Sequence, residues 1–314
     1  MISMRSVCRT PGRHPRVLLL AMLAQMLLTL PANAAVRVVA TLPALGAIAR
    51  EIGGNFVQVD VLVSPRQDPH YADARPDLVL TLARADLLLV SGLQLEAGWL
   101  PPLQNQARNA AILSGGAGYF DASVGQTLLQ RPEGKVDRAQ GDIHPGGNPH
   151  FLVDPRAAAV VAQRLGAVLA RLDPSHADQL QQQAVALAQR LRALAAAQTQ
   201  RFAQLPLAKR QIVVYHDSLP YLADWLQLRV VATVEPKPGI APNPQQVASV
   251  LQTLRTAKVG VIAQEEYYPK NTSQTLCGLA PARLVVLPGG PQPGQNFAEF
   301  AKHAADLLYD GLSR

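Results

Sequence analysis

Residues 175–204 consist mostly of Ala, Leu, Gln and Arg, and neither Gly nor Pro interrupts them before Pro206. These residue types favour a helix, and Ser175 is a suitable cap at its start. At 1.5 Å per residue, a helix of about 28 residues is about 40 Å long, which exceeds the width of a small domain. We therefore predict a rigid helix that joins two domains. A coiled-coil arm is the alternative, although the apolar positions keep no strict heptad.

Patterns of short strands and helices alternate on both sides of this stretch. Before it, strand patterns lie at 36–40, 57–63 and 86–90, and helix patterns at 44–52, 76–84 and 155–172. After it, strands are predicted at 211–215, 230–234, 259–263 and 283–287, and helices at 218–226, 244–257 and 297–312. The stretch 99–141 is weaker, with short strands expected near Ala111 and Tyr119. Alternating strands and helices are typical of parallel sheets, so we predict an α/β protein with two lobes.

The first 34 residues have the pattern of an export signal. Four arginines precede or open an apolar run at 17–30, and the segment ends in Ala-Asn-Ala34. The run is too short to span a bilayer comfortably and no cysteine follows the cleavage position, so we expect neither a transmembrane segment nor a lipid anchor. We therefore predict a periplasmic protein whose parts are a signal peptide at 1–34, a first lobe at 35–174, the connecting helix at 175–205 and a second lobe at 206–314.

The charge balance argues against a nucleic-acid partner. Of the 29 basic residues four lie in the signal peptide, whereas all 22 acidic residues follow it, which leaves a net charge of +3. Aromatic residues make up only 5% of the chain and the basic residues are scattered, so no basic stripe with stacking platforms is expected. Cys277 is the single cysteine beyond the signal peptide, and it cannot form an internal disulfide.

Several histidines lie on loops beside predicted strand ends. The segment 141–155 is rich in Gly and Pro and holds His150, while His70, His216 and Glu265 each follow a predicted strand. A histidine on a stiff loop can be a metal ligand, a general base or a surface residue. Because ligands of open parallel sheets bind outside the carboxyl ends of the strands, these side chains can meet in one cleft between the lobes. Three imidazoles and one carboxylate suit Zn²⁺.

Four motifs carry a family resemblance: Asp68-Pro-His70, Asn148-Pro-His-Phe-Leu-Val-Asp-Pro155, Tyr215-His-Asp-Ser-Leu-Pro-Tyr-Leu-Ala-Asp224 and Glu235-Pro-Lys-Pro-Gly-Ile-Ala-Pro242. In this order they resemble the zinc- and manganese-binding periplasmic proteins of metal ABC importers, over essentially the whole chain beyond the signal peptide. The resemblance implies two (βα)4 lobes with parallel sheets, a rigid connecting helix and a metal between the lobes. It also implies His70, His150 and His216 as ligands. Manganese-binding relatives have a carboxylate at the place of His216, so the histidine favours Zn²⁺ over Mn²⁺.

The chain departs from these relatives at two places. Many zinc-type relatives carry a long loop rich in His and Asp before the second ligand, whereas residues 132–147 contain a single histidine, His144. A late acidic ligand of several relatives would fall at residues 289–291, which are Gly-Gly-Pro. The fourth ligand is therefore either Glu265 or water. Glu265 is preferred to Glu266 because side chains alternate at a strand end and because it matches an acidic residue of the family.

The remaining polar candidates have structural interpretations. His144 either makes a hydrogen bond within its loop or contacts the metal on entry, whereas His176 and His303 are expected to be solvated. Glu235 is interpreted as an anchor of the second lobe rather than a ligand, and Asp154 as a helix cap.

The expected function is capture of Zn²⁺ in the periplasm and delivery to the membrane permease of an ABC importer. We expect a monomer that is not an enzyme. Two alternatives share the same site: a zinc-dependent hydrolase with three histidines and a bound water, and a Mn²⁺-binding or metal-buffering protein of the adhesin type. The hydrolase lacks support in the sequence because there is no His-Glu-x-x-His motif.

Overall fold

A computed structural model of the chain describes residues 35–73, 75–134, 144–237 and 239–314. The predicted signal peptide lies outside these ranges and stays a prediction. The first sheet contains the strands β1 Val36–Ala40, β2 Val57–Val61, β3 Leu87–Val90 and β4 Tyr119–Asp121. The second sheet contains β5 Gln211–Val214, β6 Arg229–Thr233, β7 Val261–Glu265 and β8 Arg283–Leu287.

The two sheets share one topology. The strand orders are β2-β1-β3-β4 and β6-β5-β7-β8, and each neighbouring pair is parallel. All four residues of β3 are buried, as expected for a strand that is covered on both faces. The predicted α/β class with a parallel sheet in each lobe is confirmed.

Helices cover both sheets. They are α1 Pro43–Gly53, α2 Pro76–Ala83, α3 Leu100–Ala107, α4 Pro155–Leu172, α5 Ala177–Phe202, α6 Pro220–Trp225, α7 Pro244–Thr256, α8 Asn271–Leu279 and α9 Phe297–Ser313. Proline starts several of them. Its fixed φ suits the first turn, and an N–H at this position would have no hydrogen-bond partner within the helix. Among the described residues, no helix combines the length and apolar character that crossing a membrane requires.

The long helix α5 connects the two lobes. It packs along α4 and also contacts α1 of the first lobe and α9 of the second. Leu187 and Leu191 on its inner face are fully buried. Glu51 of α1 strengthens the junction, because its carboxylate accepts hydrogen bonds from Arg190 of α5 at 3.2 Å and from the backbone N–H of Phe297 at 2.9 Å. A connecting helix is therefore present, with 26 residues against the roughly 28 expected.

The close approach of α4 and α5 depends on Gly166. A Cβ atom at this position would lie 2.3 Å from Cβ of Ala184. Non-bonded carbon atoms do not approach so closely, so the backbone of α4 at Gly166 packs directly against the side chain of Ala184 in α5.

The structure differs from the prediction in several local details. Helices α3 and α8 were not predicted, and the residues near Ala111 form a 3-10 turn, Ala110–Ile112, rather than a strand. Pro101 and Pro102 resemble loop residues, yet they lie in the first turn of α3, where proline is tolerated. Strand β7 begins and ends two residues later than predicted, so Glu265 is its last residue.

Candidate metal site

His70 lies on a 3-10 turn, Pro69–Tyr71, beyond the end of β2. Oδ1 of Asp68 accepts the backbone N–H of His70 at 3.0 Å and lies 2.7 Å from Nδ1 of the ring. Burial disfavours ionisation of Asp68, but the hydrogen bonds and charge of His70 outweigh it and hold the pKa of this carboxyl below its ordinary value. An ionised carboxylate only accepts hydrogen bonds, so Nδ1 carries the proton. Nε2 is buried without a hydrogen-bond partner in the described chain and can coordinate an ion.

His150 is positioned by the loop that precedes α4. Its backbone N–H donates to Oδ1 of Asn148 at 3.0 Å, and Nδ2 of Asn148 donates to the carbonyl of Asp217 at 2.7 Å. The hydroxyl of Tyr221 donates to the carbonyl of Asn148 at 2.8 Å, which fixes the loop against the second lobe. Burial lowers the pKa of His150 well below its ordinary value, and the neighbouring histidines add to this effect. The imidazole is therefore neutral, as a metal ligand must be.

His216 follows β5 and is held from two sides. Nδ1 lies 2.7 Å from Oε2 of Glu235, and Glu235 also accepts the backbone N–H of Gly239 at 3.0 Å. The ring of Tyr268 stacks on the imidazole with centroids 5.3 Å apart. Burial lowers the pKa of His216, but the hydrogen bond and charge of Glu235 outweigh burial and raise it above its ordinary value.

These three histidines converge. One ring nitrogen of each lies within 4.8 Å of one ring nitrogen of the other two. The ring centroids of His70, His150 and His216 are 5.0, 5.4 and 5.6 Å apart in pairs. Three imidazoles that bind one tetrahedral Zn²⁺ through nitrogens at about 2.0–2.1 Å place their ring centres roughly 5 Å apart. The spacing therefore fits a single ion, with two of the imidazoles from the first lobe and one from the second.

Glu265 lines the same cleft as His150 but lies outside the group of three histidines. It is 7% exposed, and its Oε2 has no hydrogen-bond partner in the described chain. Burial raises the pKa of this carboxyl above its ordinary value. Glu266 also has one buried oxygen without a hydrogen-bond partner in the described chain, but its other oxygen lies 3.8 Å from the exposed Arg66. Ligation by Glu265 stays a prediction.

The late acidic position of the relatives falls at residues 289–291, and at the first of these, Gly289, there is no room for a side chain. A Cβ atom here would lie 2.3 Å from the carbonyl oxygen of Pro65 and 2.5 Å from the ring of Tyr267. Because Pro65 contributes backbone rather than a movable side chain, any residue larger than glycine would displace the chain. This part of the cleft therefore has no room for a carboxylate on residue 289.

The other histidines have different surroundings. The ring of His144 stacks on His70 with centroids 5.5 Å apart, so His144 lies at the edge of the site. His303 is exposed, as expected. The side chain of His176 is 35% exposed, so the prediction that it is solvated holds only in part: its ring stacks on Phe56 at 4.0 Å, and Nδ1 lies 2.7 Å from Asp173.

Comparison with known proteins identifies the family of the chain. The family described as zinc-uptake complex component A, periplasmic (ZnuA), matches residues 38–311. The chain is 24% identical over 243 residues to the manganese ABC transporter substrate-binding lipoprotein PsaA of Streptococcus pneumoniae, which covers 76% of this chain and 75% of that protein. It is 25% identical over 231 residues to the iron-binding protein YfeA of Yersinia pestis, covering 73% and 69% of the two chains.

Solved structures show the same fold. A zinc-bound deletion mutant of ZnuA superposes with a TM-score of 0.74 at 22% identity, over 89% of this chain and 99% of the other.

Proposed function

The chain belongs to the family of periplasmic zinc-uptake components, and we propose that within this family it captures Zn²⁺ rather than Mn²⁺ and delivers it to the permease of an ABC importer. Members of the family are metal-binding components of such importers and not enzymes, so the hydrolase alternative is rejected. The transported ion is cargo, and the site has to release it as well as hold it.

Three imidazoles, which bind metals in their neutral form, lie together at the site. This observation supports the choice of zinc. Nitrogen ligands suit Zn²⁺, whereas Mn²⁺ prefers carboxylate, carbonyl and water oxygens. The relatives are named for manganese and iron as well as zinc, so their names do not select the ion. The donor set of His70, His150 and His216 favours zinc.

Glu265 is proposed as the fourth ligand. It is buried beside the cleft, its Oε2 has no hydrogen-bond partner in the described chain, and residue 289 has no room for an alternative acid. A buried carboxylate oxygen without a partner is costly, and coordination to a cation would offset that cost. If Glu265 does not ligate, a water molecule completes the tetrahedron.

Partner and compartment follow from the family. We propose that the protein acts as a monomer in the periplasm and meets the membrane only through the permease. The predicted export signal at 1–34 supports this compartment.

Native mass spectrometry of the purified protein, offered equimolar Zn²⁺, Mn²⁺ and Fe²⁺, tests the choice of metal. We expect one Zn²⁺ per chain, and no bound ion in His70→Ala. The variant His303→Ala is the matched control, because it removes an exposed imidazole. Preferential binding of Mn²⁺ or Fe²⁺ by the parent protein would overturn the proposal.

A further inference from the structure

Tyr268 forms the middle layer of an aromatic stack beside the metal site. Its ring lies 5.1 Å from that of Tyr215, with an interplanar angle of 27°, and 5.3 Å from that of His216, with an angle of 26°. The stack covers one face of the His216 imidazole while Glu235 holds its Nδ1 edge. Rotation of the imidazole about its side-chain bonds would therefore break a stacking contact and a hydrogen bond together.

We propose that Tyr268 is a positioning residue of the metal site, because its ring orients the imidazole of His216. This inference rests on the proposed function and adds a residue that touches a ligand rather than the ion.

Tyr268→Leu tests the ring. We expect the affinity for Zn²⁺ to fall at least about tenfold, in the range seen when groups that orient a ligand are lost. The absorption spectrum of the Co²⁺-loaded protein should also change, because the geometry of His216 around the ion changes. Tyr309→Leu is the matched control, since Tyr309 makes an edge-to-face contact with Phe202 at 5.3 Å and is not among the residues of the site. Parental affinity and an unchanged Co²⁺ spectrum in Tyr268→Leu would overturn the role of the ring.

Tyr268→Phe is the conservative variant, because it keeps the stacked ring and removes only the hydroxyl oxygen. We expect its zinc affinity and its Co²⁺ spectrum to stay close to those of the parent protein. A loss as large as that of Tyr268→Leu would show that the ring does not carry the effect. Thermal unfolding without metal shows that each variant is folded.

Different results would contradict the positioning role of Tyr268 and the proposed capture of zinc. If the parent protein binds zinc and His70→Ala does not, the site stands whatever the Tyr268 variants do. If the parent protein does not bind zinc, the proposed function itself is wrong.

Discussion

His150 and His216 take up protons at different pH values because their surroundings differ. Burial lowers the pKa of His150, whereas Glu235 raises that of His216 against the effect of burial. A raised pKa means that the proton competes with the ion at a higher pH. On acidification, zinc affinity should therefore fall first through protonation of His216, beginning above the ordinary value of about 6.5.

Isothermal titration calorimetry between about pH 7.5 and 5.5 measures this loss. Glu235→Gln removes the negative charge that raises the pKa of His216, so the onset of the loss should move to lower pH. A flat affinity across the range would show that histidines are not the main ligands.

Variants of two adjacent acidic residues test whether Glu265 is the fourth ligand. Glu265→Gln should weaken zinc binding by about ten- to a hundredfold, whereas Glu266→Gln, whose carboxylate faces Arg66, should leave it nearly unchanged. His70→Ala, His150→Ala and His216→Ala should each cost at least as much. Competition with a chromophoric chelator measures all five affinities. If Glu265→Gln binds zinc like the parent, the site is three histidines and water.

The histidines of the site could be predicted from sequence because each lies in a compact motif of its own. Most of the hydrogen-bond and stacking partners of these histidines could not be predicted from sequence. Glu235 is 19 residues from His216 in sequence, and the Tyr268 ring reaches that imidazole only once β5 and β7 pair. Asp68 could have been identified, since it lies two residues before His70 in the same turn and caps it.

At the scale of elements, the contact of α4 with α5 predicts an unusual effect of alanine. Alanine normally stabilises a helix by about 1 kcal/mol relative to glycine. In Gly166→Ala the new methyl group would meet Ala184 at 2.3 Å, so we expect a net loss of about 1–3 kcal/mol in the free energy of unfolding.

Gly278 in α8 is the matched control, because an added Cβ there meets nothing within 4 Å. Gly278→Ala should stabilise the protein by up to about 1 kcal/mol. Urea unfolding of both variants measures the difference. Stabilisation of equal size in the two would contradict the close packing of α4 and α5.

Elements with strong periodicity were predictable and weakly patterned ones were not. The strands of both sheets are apolar runs between turn residues, and α5 has no helix breaker along its length. Helix α3 has two prolines in its first turn and only a short apolar stripe of Leu100, Leu103 and Ala107, and α8 is rich in Asn, Thr and Ser. Both lack the long periodic apolar pattern that identifies a helix in sequence. In such segments, tertiary contacts rather than the local sequence determine the conformation.

For the whole molecule, the ion should stabilise the fold because its ligands come from both lobes and are assembled only in the native state. At free Zn²⁺ a thousandfold above the dissociation constant, the stabilisation is about 4 kcal/mol. Differential scanning calorimetry should show a clear rise in melting temperature with Zn²⁺ and a smaller one with Mn²⁺. In His216→Ala the rise should disappear. Equal rises with the two metals would contradict the selectivity for zinc.

The division of the ligands between the lobes has a consequence for a chain that is cut. A break after α5 would leave His70 and His150 in one fragment and His216 in the other. Neither fragment could then hold an ion with more than two of the three imidazoles. A cut chain should therefore bind zinc only while its two fragments stay associated through the packing of α5 against α9.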